Sequence, residues 1–96
     1  MTSQGRTQRI TTVDVAHGRI RIPIGEKHLF PRDKARVSVR LNGVQFGDVA
    51  WDPRLGPDRE RSGVLYIGRR LAELVLADEH LAVTNTDGVL EISGGN

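Results

Sequence analysis

The sequence predicts a mainly β protein, an all-β chain with two short helices arranged as a small seven-stranded open barrel. Short runs of alternating apolar and polar residues recur along the chain, and turn signals interrupt them roughly every 6 to 12 residues. Asn42-Gly43, the strongest short hairpin signal present, joins two such runs directly. With 96 residues there is room for one domain around one core and no more.

Residues 1–8 are polar and contain glycine, so they are expected to form a disordered tail ahead of a single domain over 9–96. From Arg9 to Val15, Ile10, Thr12 and Asp14 alternate with Thr11, Val13 and Val15, the pattern of a first strand. Ala16-His17-Gly18 breaks it, and Arg19 to Pro23 follows as a second strand with Ile20 and Ile22 facing inward. Gly25 to Leu29 has room for one or two helical turns before Phe30-Pro31, because a residue preceding proline is pushed out of the helical region. Arg36 to Leu41 points Val37, Val39 and Leu41 inward, and the Asn42-Gly43 turn leads into a return strand, Val44 to Trp51, with a bulge expected at Gly47. Ser62 to Ile67 is the next strand. Leu71, Leu74 and Val75 recur at helical spacing, with Gly68 standing in for a cap. His80 to Thr84 and Val89 to Ile92 close the chain as a hairpin around residues 85–88.

Between Trp51 and the strand at Val64 lies a polar arm that cannot be core. Arg54, Asp58, Arg59, Glu60 and Arg61 are set among Pro53, Gly56 and Pro57, with too little apolar surface to bury and too many breakers for a helix. A loop held at both ends by hydrophobic structure is how a rigid scaffold presents recognition groups, and guanidinium groups suit bidentate contacts to phosphate or to guanine O6 and N7. The competing reading is a solvated loop in which Asp52, Asp58 and Glu60 neutralise their neighbours.

Charge distribution favours a polyanion partner. The formal net charge is only +2, yet residues 1–70 hold all 14 basic residues against 7 acidic ones, and residues 71–96 hold five acids and no base. Cysteine is absent, which removes disulfides and thiolate metal sites and agrees with a cytoplasmic location. The N-terminus carries no apolar run, so neither a signal peptide nor a membrane span is expected. No catalytic constellation assembles. There is no phosphate-binding glycine loop and no zinc-binding histidine pair, His17, His28 and His80 stand singly, and neither Ser38 nor Ser62 sits in a nucleophile elbow. The expectation is a binding domain that is not an enzyme, with no cofactor and no metal.

The order GRIRIP, HLFP, VSVRLNG, Trp51, a charged arm, SGVLYIG and LADEHLAV resembles the plant B3-type DNA-binding pseudobarrel over about residues 10–92. The matching positions are Arg19 or Arg21 with Ile22-Pro23, then Phe30-Pro31, Trp51, Gly68, and Leu76-Ala77-Asp78 through Leu81. Arg69 stands where the plant pattern has tryptophan, Glu79-His80 replaces a Gly-Asp step, and the loop between the first two strands is expected to be short. These departures are closer to the bacterial B3-like recognition domains of restriction endonucleases, in the manner of the EcoRII effector domain. The resemblance implies a target-reading domain or subunit of a restriction-modification system that grips double-stranded DNA with two arms in the major groove. One arm would lie around Ala16 to Arg21 and the other at Asp52 to Ser62. It assigns base reading to Asp52, Arg54, Asp58, Arg59, Arg61 and Ser62 on one arm and to His17, Arg19 and Arg21 on the other. Phosphate contacts fall to Arg9, Lys34, Arg36, Arg69 and Arg70. The isolated domain would be a monomer, working with a nuclease or helicase domain or subunit. Two other readings stand beside this one: a dimeric swapped-hairpin-barrel transcription regulator, in which a Gly-Arg-Ile-x-Ile-Pro strand also occurs, and a protein-interaction module whose basic arm meets an acidic partner.

Overall fold

The computed structural model describes residues 1–55 and 61–94. These form seven strands, two α-helices and one 3-10 helix. The strands are β1 (Thr2–Arg6), β2 (Arg19–Ile22), β3 (Ala35–Leu41), β4 (Val44–Asp52), β5 (Gly63–Tyr66), β6 (Ala82–Thr86) and β7 (Val89–Ser93). Helix α1 (Thr12–His17) precedes β2, the 3-10 helix (Ile24–Leu29) follows it, and α2 (Leu71–Leu74) follows β5. The sheet order is β1-β6-β7-β3-β4-β5-β2. Only the β3–β7 pair is parallel among the described strands. Past β1, the Thr7 amide donates to the Leu81 carbonyl and the Gln8 amide to the Arg21 carbonyl, each at 2.9 Å. The first extends the β1–β6 pairing and the second reaches β2 at the other end of the sheet, so the strands wrap into the expected open barrel.

Most strand expectations hold. Asn42 and Gly43 sit at φ 47° and 86°, as a type I′ turn requires, and Asp87-Gly88 repeats the device at 53° and 89° between β6 and β7. That second turn is tighter than the four-residue connection expected at 85–88. A bulge sets Gly47 and Asp48 opposite Ser38, because pairing steps from Val37↔Val49 to Val39↔Phe46.

The N-terminal third departs from expectation. Residues 9–15 are not a strand: Thr11 caps a helix, its side chain accepting from the Asp14 amide and the Asp14 carboxylate accepting from the Thr11 amide, each at 3.0 Å. Gly18, at φ 65°, ends that helix in the left-handed conformation. A Cβ there would also collide with the Gly68 backbone. The reciprocal Thr-x-x-Asp cap overrides the strand propensity of Ile10, Thr11, Thr12 and Val13. Residues 2–6 are likewise not a tail. They pair antiparallel with β6 from Thr2↔Thr86 to Arg6↔Ala82, so the fold takes in Thr2 to Arg6 rather than starting at residue 9, and the helices among the described residues number three rather than two. The connection between the first two strands is correspondingly long, with a helix inside it.

The core packs within the barrel. Ile20, Ile22, Val39, Leu41, Trp51, Leu65, Val83 and Ile92 line it from the strands, and Ile10, Leu29, Phe30 and Leu71 close it from the connections. Trp51 is its largest member. Its ring stacks on Phe30 with centroids 4.5 Å apart, and its indole N–H donates to the Pro31 carbonyl at 2.7 Å. Gly63 lies against the ring so closely that a Cβ would run into it. The Asn42 amide group donates to the Leu74 carbonyl at 2.6 Å and accepts from the Gly94 amide at 3.0 Å, tying α2 to the end of β7. No helix among the described residues is long and apolar enough to cross a membrane.

Candidate nucleic-acid interface

Strand register fixes where each candidate side chain lies. Asp52, the last residue of β4, pairs with Val64, and Gly63, the first of β5, pairs with Ile22. The arm over 53–62 therefore leaves and re-enters the sheet at the end where β2 finishes. At the other end Arg19 pairs with Tyr66, and the Gly18 carbonyl accepts the Ile67 and Gly68 amides at 2.8 and 2.9 Å. At roughly 3.3 Å per strand residue, about 10 Å separates the two ends of β5.

The root of the arm is fixed on both sides. The Arg54 amide donates to Asp52 Oδ1 at 2.8 Å, holding Arg54 at φ 56°, and Lys27 Nζ donates to the Pro53 carbonyl at 2.6 Å. On the return side, Gln8 Nε2 donates to Ser62 Oγ at 3.1 Å. Arg61 is exposed and Arg54 half-buried, and among the described residues no carboxylate lies within ion-pair distance of either. Asp58 and Arg59 lie outside the described residues. Lys34 stands 3.9 Å from Asp52 Oδ2 and is well exposed. Lys27, His28 and Arg32 share a cleft of about 300 Å³ with Phe30, Pro31, Pro53 and Leu55. Sequence reasoning passed over Lys27, Arg32 and Gln8. The basic run around Phe30-Pro31 was the available signal for the first two, whereas nothing in the sequence brings Gln8 to Ser62.

The other expected arm is not an arm. Ala16 and His17 end helix α1, and Arg19 and Arg21 lie on β2, so no loop projects there. Both arginines turn onto Asp14, whose side chain is 1% exposed. Arg19 Nε reaches Oδ1 at 2.8 Å, and Arg21 Nε reaches Oδ1 and Oδ2 at 3.0 and 3.1 Å. Arg21 Nη2 also donates to the Arg9 carbonyl at 3.1 Å. Burial by itself would raise the Asp14 pKa, but hydrogen bonds from Arg19, Arg21 and Thr11 outweigh it and hold the carboxyl at about 2, down from 3.8. These guanidinium groups bind α1 to β2. A base-reading role for Arg21 would require breaking that clamp.

The remaining candidates divide by position. Arg19 and Arg36 flank Tyr66 and Ala50 in one row across β2, β5, β4 and β3 on the outer face of the sheet. Arg36 is exposed and 3.9 Å from Asp48. Arg69, Arg70 and His17 collect at the far end from the arm, where Arg70 lies 5.6 Å from the centre of the Phe46 ring and 3.9 Å from Glu73. Arg9 pairs with Asp78 at 3.3 Å, and the N-terminal amine with Asp87 at 2.8 Å, so folding partly mixes the basic and acidic portions of the chain. No known protein-family model matches this chain, and no curated protein matches it.

Proposed function

We propose that this chain is a double-stranded DNA recognition domain that presents the β4–β5 arm to the major groove. The carrying observation is the cationic end of the barrel. Lys27, Arg32, Lys34, Arg54 and Arg61 converge around an arm whose root is pinned by Asp52, Lys27 and the Gln8–Ser62 bond. A pinned root lowers the ordering cost of placing guanidinium groups against base edges, which favours selective reading over loose electrostatic attraction. In this reading Arg54 and Arg61, with Arg59 between them in sequence, contact bases, and Lys34 and Arg36 position the backbone. Gln8 stands at the root of the same arm through its bond to Ser62, and Ala16 to Arg21 form no second arm. The B3-like resemblance supports the same element as the groove reader, and a restriction-modification system is the setting it implies, with the catalytic part supplied by another domain or subunit.

The test is selection of bound duplexes from a random pool, followed by titration of the selected and scrambled duplexes. Arg61→Ala is expected to lose discrimination by roughly tenfold, within the range for one bidentate base contact. Lys34→Ala is expected to weaken both duplexes equally. Failure to enrich any sequence would overturn the reading in favour of a basic protein-interaction surface.

A further inference from the structure

The outer face of the sheet carries a feature that groove reading does not use. Tyr66, 49% exposed, stands beside a depression of about 390 Å³ lined by Lys34, Ala35, Arg36, Ala50, Asp52 and Trp51. The depression exists because Ala50, opposite Tyr66 in the register, is too small to fill the space next to the phenol ring. A solitary exposed aromatic on a strand is ordinary. One with an open hollow beside it, roomy enough to admit a base, and Lys34, Arg36 and Asp52 on the rim is a stacking platform equipped with charged groups.

Building on the DNA-binding reading, we propose that this depression is a binding site for a single unpaired nucleobase, stacked on Tyr66. Inside a duplex both faces of a base are covered by its neighbours, so a side chain on a rigid sheet can stack only on a base that is single-stranded or has left the helix. Asp52 offers an acceptor to the polar edge of the base, and Lys34 and Arg36, two residues apart on the rim, are placed for the adjoining phosphates. The site lies about two strand residues from Val64 and hence on the flank leading to the arm, so one DNA molecule can engage both.

The experiment titrates the full chain against three probes carrying 2-aminopurine: a fully paired duplex, the same duplex with the 2-aminopurine opposite an abasic site, and the single strand. The wild type is expected to bind the abasic-opposed duplex more tightly than the paired one and to quench its fluorescence. Tyr66→Ala is expected to lose about tenfold in affinity for the two unpaired probes, the scale of one base–aromatic stack, and to change less than about threefold on the paired duplex. Tyr66→Phe, which keeps the ring, should behave as the wild type. Unchanged binding of the unpaired probes by Tyr66→Ala, or equal weakening on all three, overturns this site while leaving duplex recognition standing. Absence of wild-type binding to any probe overturns the DNA-binding reading and this site with it.

Discussion

Two arginine-bearing segments, residues 9–21 and the β4–β5 arm, look alike in sequence, since each sets several guanidinium groups beside an aspartate. In the first, Asp14 is buried and faces both Arg19 and Arg21, so the charges are consumed in holding a helix to a strand. In the second, Asp52 stays partly exposed, gives one oxygen to the Arg54 backbone amide and keeps the other 3.9 Å from Lys34. Burial of the carboxylate, rather than the count of arginines, separates a structural clamp from a surface open to a partner.

The largest effect that would test this contrast is on stability. Asp14→Ala removes the partner of two guanidinium groups together with half of a capping box. It should cost about 3 kcal/mol in denaturant unfolding, whereas Asp52→Ala should cost under about 1 kcal/mol. Equal losses would erase the distinction. The next effect is pH dependence. Because the Asp14 pKa is depressed in the folded state, its contribution is complete above the unfolded value near 3.8 and disappears as pH falls toward about 2. That amounts to about 2 kcal/mol, and Asp14→Asn should flatten the acid limb of the stability curve accordingly. Gly63→Ala, which presses a methyl group onto Trp51 at the arm's return, should destabilise by about 1–3 kcal/mol in the same assay. The smallest effect is electrostatic: Lys34→Ala should lower the slope of log affinity against log salt by about 0.9 with no loss of sequence preference.

The strands that bury a face were legible because their alternation is the physical cause of their burial. Ile20-x-Ile22 and Val37-x-Val39-x-Leu41 are examples, and the Asn-Gly and Asp-Gly turns carry their conformation in their residue types. Strand β1 left no such trace. None of its residues is buried, its pairing with β6 is carried by the backbone, and backbone pairing imposes no pattern on TSQGR. Helix α1 was hidden for a different reason: β-branched residues dominate it, and its evidence lay in two polar positions, Thr11 and Asp14, and in Gly18. The same oversight hid the packing role of Arg19 and Arg21, which both bond to Asp14. Once Asp14 is recognised as a capping residue whose own carboxylate is buried, the two arginines within a few residues of it become its natural partners. The two ends of the arm were legible because proline and charge after Trp51 stop the strand, as β4 does at Asp52, and the apolar run at Val64 restarts it, as β5 does at Gly63. Tyr66 was passed over because a lone tyrosine in an apolar run reads as filler until the register places Ala50 opposite it.

The most direct test compares Arg61→Ala with Arg21→Ala on a selected duplex, a scrambled duplex and in urea unfolding. Arg61→Ala should lose discrimination between the duplexes at an unchanged unfolding midpoint, and Arg21→Ala should lower the midpoint with discrimination intact. Loss of discrimination in Arg21→Ala at unchanged stability, with Arg61→Ala indistinguishable from wild type, would contradict the account.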